Sequence, residues 1–195
     1  MLRVREEAII DVVNRLLADK GYEAMTVDEV SAEVGIAKAS LYKHFPSKEA
    51  LAAAAMVRML ERARAYLDAV AQDGGRYPDA LDRLKAVVRW AMNMQYDGQM
   101  PSLPAENSTL RTVLMADKAY VSHVLELSEV LGGWIQQCQQ QGQLDAALPV
   151  EVVLFTLYAR ACDPVLPVLK GSGQYGREQI LDWLLSTCFN GLVRH

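Results

Sequence analysis

The stretch TVDEVSAEVGIAKASLYKHFPSKEAL, residues 26–51, decides how the rest of this chain is read. Thr26 and Glu29 stand at the spacing of a capping box, in which a hydroxyl and a carboxylate satisfy the unpaired backbone N–H groups that open a helix. Val27, Val30 and Val34 then recur at helical spacing and face inward. Gly35 breaks that helix after two turns, and Ile36 anchors the turn that follows. In a second short helix Leu41 and Phe45 lie four apart on one ridge, Lys38 and Tyr42 share another, and Ala39 and Lys43 a third that turns outward. Pro46 stops this helix, and Ser47 is placed to cap a long one starting at Lys48. No acidic residue falls between Val34 and Lys48, whereas Lys38, Lys43 and His44 all do. Small side chains at Ala39 and Ser40 let the backbone approach a partner closely. Two short helices, the second basic and lined by small residues, fit the geometry that lays a recognition helix in the roughly 12 Å wide major groove.

Upstream, Ile9, Val13, Leu16 and Leu17 predict a helix over 4–20, with Arg5, Glu6, Asp11 and Arg15 on its other face. Gly21 suits a left-handed cap at its end, and Tyr22 tucks the chain back. Downstream every periodic segment is again helical, and no period-two alternation marks a strand. The long helix carries Leu51, Ala55, Met59, Ala63, Tyr66 and Val70 on its inner face. After the DGGRYP loop a helix runs over 78–96. The PSLPAENS loop, with Pro101 and Pro104, precedes a shorter helix containing Leu110, Val113 and Leu114. Asp117 caps a helix reaching residue 141, with a seam of Val121, Val124, Leu125, Ser128, Leu131, Trp134, Ile135 and Cys138. Its QQCQQQGQ end reads as a solvated last turn closed by Gly142. The next helix begins at Pro149, runs through Val153, Leu157 and Tyr158, and is kinked by Pro164 and Pro167. A last helix over 177–193 is strongly apolar through Ile180, Leu181, Leu184, Cys188 and Leu192.

The fold expected is therefore all-α, about nine helices. An N-terminal three-helix helix-turn-helix domain occupies 1–47, and a larger helical domain occupies 48–195. At 195 residues with 51% hydrophobic content, the chain has ample material for a core. No run approaches the roughly 18 apolar residues of a membrane span, and charges interrupt the N-terminal MLRVREEAII, so no secretory signal is expected and the cytoplasm is the expected compartment. Cys138, Cys162 and Cys188 match no metal or disulfide spacing and read as buried thiols. The formal charge is −4, and the first fifty residues hold seven Lys/Arg against nine Asp/Glu. Any attraction to phosphate must come from where the cations sit, since charge acts over about 10 Å at physiological salt.

Three blocks closely resemble the TetR family of bacterial transcriptional regulators: the REEAII opening, the run KGYEAMTVDEVSAEVGIAKASLYKHFPSKEAL, and the all-helical remainder. The resemblance is strong over 4–51 and architectural beyond. It implies a dimeric DNA-binding protein, usually a repressor, whose C-terminal domain binds a small molecule and releases double-stranded operator DNA. By this resemblance Lys38, Ala39 and Ser40 stand at the groove-facing start of the recognition helix. Tyr42 and His44 meet backbone or base edges, and Lys48 meets phosphate. Thr26 offers its hydroxyl and adjacent N–H groups to phosphate, which a helix N-terminus favours independently. Lys43 departs from the family, where an aromatic is frequent, and adds a cation to the DNA-binding set.

An aromatic and thioether load marks the larger domain, and Met59, Tyr66, Met92, Tyr96, Trp134, Phe155 and Tyr158 are the pocket residues expected for an apolar or aromatic effector. Broad apolar faces on the last two helices, which the resemblance makes the dimer surface, put Leu157, Leu166, Ile180, Leu181, Leu184 and Cys188 in the expected homodimer interface. His123, Arg160 and Asp163 read as structural or surface polar groups. An enzyme is the alternative from another class, but no GxSxG elbow, phosphate loop or HExxH is present, and no catalytic residue, metal ligand or cofactor is expected. A DNA-binding protein regulated without an effector is the second alternative.

Overall fold

The computed structural model describes residues 2–101 and 107–191, with side chains from residue 6 onward. Ten helices and no strand are found among them: α1 Leu2–Ala24, α2 Val27–Val34, α3 Lys38–His44, α4 Lys48–Gln72, α5 Ala80–Tyr96, α6 Thr109–Ala116, α7 Lys118–Gln140, α8 Val150–Arg160, α9 Val165–Ser172 and α10 Arg177–Asn190. The side chains of Val4 and Arg5, and residues Pro104, Leu192 and Val193, lie outside the described part.

Compactness divides the chain into residues 1–63 with 98–125, and residues 64–97 with 126–195. α4 and α7 each contribute to both units, and α6 belongs with the helix-turn-helix. The reason is apolar burial. Ile9, Val13 and Leu17 of α1, Val27 and Val30 of α2, Leu41 of α3, Leu51 and Ala55 of α4, and Leu110 and Leu114 of α6 form one buried cluster.

Polar ties in the first unit follow the same plan. The Tyr22 hydroxyl donates to Glu49 Oε1 at 2.7 Å, and Thr109 Oγ1 lies within 3.4 Å of both. Ser108 Oγ donates to Glu23 Oε1 at 3.0 Å while accepting from the Leu110 N–H as the α6 cap. Asn14 Nδ2 donates to the Gln99 carbonyl at 2.7 Å, and Arg62 donates to the Gln99 side chain at 3.0 Å. Burial pushes the Tyr22 hydroxyl up to about 12, so it remains a donor throughout the physiological range.

Local expectations are met closely in this unit, with one extension. Gly21 has the positive φ expected of it, 76°, but the chain resumes a turn through Ala24 before Thr26 begins α2. Gly35 closes α2 at φ 72°, a conformation that side chains with a Cβ rarely adopt. Ser47 Oγ accepts from the Ala50 N–H at 3.1 Å and caps α4.

In the second unit Leu84, Val88 and Met92 of α5, Leu131, Trp134, Ile135 and Cys138 of α7, Leu154 and Leu157 of α8, Leu166 of α9, and Ile180, Leu181 and Leu184 of α10 are all buried. Two expectations are corrected here. Leu125 is 63% exposed, and Leu127, two residues on and so on the opposite face, takes the inward position in the α7 seam. Residues 149–172 do not form one kinked helix but two. The chain breaks after Arg160, and Pro164 precedes α9 with φ −70°. Asp163 holds the break together. Its carboxylate pairs with Arg160 and accepts from the Val165 N–H at 2.8 Å, and its carbonyl accepts from Gln95 Nε2 at 2.9 Å. Val150–Ser172 is, against expectation, long and apolar enough by composition to cross a bilayer. The break and the charge pair within it are what hydrocarbon would oppose.

Candidate functional site

The outward side of α3 is the first candidate. Leu41 is fully buried and fixes the helix, so the residues flanking it in the turn must face away. Ala39, Tyr42 and Lys43 are exposed and Ser40 is half-buried. Among the described residues Lys43 makes no ion pair, so its ammonium is available to an external anion. The other four expected contacts are each engaged within the unit. Lys38 Nζ lies 2.9 Å from Asp28 Oδ1, which raises its pKa and pins it towards α2. His44 Nδ1 is 3.1 Å from Glu6 Oε1 and ties α3 to α1. Lys48 Nζ donates to the Glu23 carbonyl at 3.2 Å and sits 4.4 Å above the centre of the Tyr22 ring. Thr26 is exposed but occupied as the α2 cap, with Oγ1 accepting from the Glu29 N–H at 3.3 Å and donating to Glu29 Oε2 at 2.8 Å. Surface pairs of this kind are weak enough, ~0–1 kcal/mol, for a phosphate to compete for Lys38.

Glu29 completes the capping box. Its carboxyl is pulled from 4.5 to about 2, first by the Lys20 ammonium and then by the Thr26 hydroxyl and N–H. A carboxyl whose folded value lies below its unfolded one contributes stability above the unfolded value and loses it as pH falls through the folded one. Thermal unfolding of the wild type should therefore weaken between about pH 4.5 and 2 more steeply than that of Glu29→Gln. Equal acid profiles for the two would count against the box. Thr26→Ala removes the cap hydrogen bond and is expected to cost about 1 kcal/mol at neutral pH, measured by urea unfolding.

A cavity of about 480 Å³ in the second unit is the second candidate. It is lined by Tyr66 of α4, Arg76 and Tyr77 of the following loop, Asp82, Lys85, Ala86, Arg89, Trp90 and Asn93 of α5, and Leu185 of α10. Tyr66 and Trp90 stack with centroids 5.1 Å apart and planes 14° from parallel. Burial, then the Tyr77 hydroxyl, push the Tyr66 hydroxyl up to about 12, so it adds no negative charge.

Of the seven expected pocket residues, Tyr66 is in this lining. Met59, Met92 and Trp134 are buried packing residues, and Met59 lies in the first unit. Tyr96 lies between two cations, with Lys170 Nζ 4.7 Å and the Arg177 guanidinium 5.0 Å from its ring centre. Arg177 in turn grips Asp97 through two bonds of 2.8 Å, so this cluster fastens α10 to the end of α5. Phe155 is 66% exposed, and the Tyr158 hydroxyl lies 2.9 Å from Ser128 Oγ. Reading aromatic spacing alone missed Arg76, Tyr77, Lys85 and Arg89, because charged side chains at helical spacing look the same whether they meet solvent or a cleft.

Of the expected dimer residues, Leu157, Leu166, Ile180, Leu181 and Leu184 are buried within the subunit, and Cys188 is half-buried. The apolar side chains exposed on these helices are their neighbours: Val152 and Phe155 on α8, Val165 and Val168 on α9, and Trp183 on α10.

A short helix seated by Leu41, a glycine-closed turn and an outward face bearing Ser40, Tyr42 and Lys43 define a helix-turn-helix protein with an added helical unit. Residues 9–55 match the family of bacterial regulatory proteins described as the tetR family. Over 47 residues the chain is 49% identical to YerO, an HTH-type transcriptional regulator of Bacillus subtilis (strain 168), covering 24% of this chain and 16% of YerO. It is 27% identical over 141 residues to KstR, an HTH-type transcriptional repressor of Mycolicibacterium smegmatis, covering 72% of this chain and 66% of KstR. The chain thus spans less than two thirds of either relative. Its fold is also that of AibR in complex with isovaleryl coenzyme A and operator DNA, at a TM-score of 0.66 and 22% identity, over 95% of this chain and 98% of that one. The helix-turn-helix region, residues 9–55, is thus similar to that of the tetR family of bacterial regulatory proteins.

Proposed function

We propose that this regulator binds a pseudo-palindromic operator as a homodimer, represses from it, and is released by a small-molecule effector. Residues 1–47 serve DNA binding, and 48–195 serve effector binding and dimerisation. The observation that carries the reading is the outward face of α3, where Ala39, Ser40, Tyr42 and Lys43 are free to meet a groove while Leu41 anchors the helix from behind. Lys38 joins them by exchanging Asp28 for phosphate. Thr26, His44 and Lys48 act at the rim, where helix N-termini and cations meet the DNA backbone. KstR, a repressor, supports the direction of regulation, and AibR, held with both an acyl coenzyme A and operator DNA, supports a ligand-responsive one.

Dimerisation is assigned to the exposed apolar side chains Val152 and Phe155 of α8 and Trp183 of α10. Two copies related by a two-fold axis would bury them together and set the recognition helices about 34–36 Å apart.

The test is fluorescence anisotropy on the DNA upstream of the protein's own coding region, over a range of salt. Lys43→Ala should weaken binding to every sequence and lower the salt slope by about 0.9 per half-site, the mark of a lost phosphate contact. Substitution of Ser40 should change sequence preference, by about 1–3 kcal/mol for a lost base contact. Unaltered binding in both variants would overturn the assignment of this face.

A further inference from the structure

We infer that the cavity between Tyr66, Tyr77, Lys85 and Trp90 binds a flat aromatic ring that carries an anionic group. This rests on the reading of the second unit as effector-binding, and it replaces the apolar effector that aromatic spacing alone predicts. Three observations carry it.

The first is shape. Tyr66 and Trp90 already stack nearly parallel at 5.1 Å, and Tyr77 adds a third ring to the lining. Offset stacking on such a wall favours a planar guest over a branched one. The second is charge. Arg76, Lys85 and Arg89 line the cavity with Asp82 as the one carboxylate in the lining. Arg89 is already neutralised, by Glu178 Oε2 at 3.0 Å and by Asp182. Arg76 and Lys85 make no ion pair among the described residues. The Arg76 guanidinium stands 5.4 Å from the Tyr77 ring centre, and Lys85 Nζ stands 6.0 Å from that of Phe189. Arg76 at the exposed rim and the half-buried Lys85, neither held in an ion pair among the described residues, leave positive charge for an anion, and the sheltered Lys85 attracts it more strongly than the same charge in bulk solvent. The third is size. A volume of about 480 Å³ holds a two-ring system with its charged substituent.

Arg76 and Lys85 would hold the anion, Tyr66 and Trp90 the ring face, and Leu185 the ring edge. Asp82 disfavours a second negative group placed near it. The shared chemistry, ring plus anion, is offered both by aromatic carboxylates and by nucleotides.

The experiment is isothermal titration of the full chain with 2-naphthoate, with its uncharged analogue 2-naphthamide, and with adenosine 3′,5′-bisphosphate. At least one of the two anions is expected to bind, which separates a carboxylate from a nucleotide source. Where naphthoate binds, it should do so about tenfold more tightly than the amide. Lys85→Gln should weaken the bound anion by about tenfold and leave the amide unchanged. Leu125→Ala, at a residue 63% exposed and outside the cavity lining, should alter none of the three. Binding of neither anion, or an anion affinity that Lys85→Gln leaves intact, overturns the inference. Operator binding by the ligand-free protein is measured on the same preparation. If operator binding is intact and both anions fail, this inference alone falls. If operator binding itself fails, the regulator reading falls and the titration still decides the cavity.

Discussion

Phe155→Glu is expected to convert the protein to a monomer and to lower operator affinity about a hundredfold or more. Phe155 is 66% exposed in the subunit, so the folded chain tolerates a charge there. The proposed interface does not, because two copies of the charge would be buried against each other and against Trp183. The loss on DNA follows from linkage of the two half-sites. Each recognition helix contributes few contacts, and the second binds at high effective concentration only while the dimer holds. Sedimentation equilibrium gives the oligomeric state, anisotropy gives the affinity, and unchanged far-ultraviolet circular dichroism shows that folding is retained. A dimeric Phe155→Glu protein would place the interface elsewhere.

Leu41→Ala carries the second large effect. Leu41 is fully buried in the cluster that joins α1, α2, α4 and α6, and truncating it leaves a cavity beneath α3. The expected loss is about 2–5 kcal/mol of stability, with a fall in the urea midpoint and loss of operator binding. Its neighbour Tyr42 is 43% exposed, and Tyr42→Ala should change stability by only about 0.5 kcal/mol. Stability and DNA binding thus separate across one peptide bond: the first variant loses both, and the second loses DNA affinity alone. If Leu41→Ala unfolded at the wild-type midpoint, α3 would not depend on this core.

The helix-turn-helix was legible because its signals are local. A capping pair at Thr26 and Glu29 and a positive-φ glycine at 35 act within four residues, and the structure meets both, whereas of the Leu–Phe ridge Leu41 is buried in α3 and Phe45 falls at its extended C-cap. The all-helical class was legible for the same reason. The place of α6 was not. Leu110 and Leu114 announce an amphipathic helix, but that they join the core of Val13 and Leu41 is a contact over some sixty residues or more, which periodicity does not encode.

The dimer residues illustrate a different limit. Apolar residues fill α8 and α10 on more than one face, and spacing does not say which face the subunit keeps for itself. Ile180, Leu181 and Leu184 went inward, and Trp183 stayed out. For the cavity the misleading signal was the aromatic load itself. Trp134 and Met92 serve packing, and Tyr96 is held between Lys170 and Arg177. The cations that give the cavity its character, Arg76 and Lys85, look in sequence like any solvated charge.

The central claim is that α3 presents Ser40, Tyr42 and Lys43 to a DNA groove, twice, from a two-fold dimer. Hydroxyl-radical footprinting on the upstream DNA tests it most directly. Two protected patches on one face of the duplex, about 34–36 Å apart and both weakened together by Lys43→Ala, are the expected result. A single patch, or a footprint that Lys43→Ala and Tyr42→Ala leave unchanged, would contradict it.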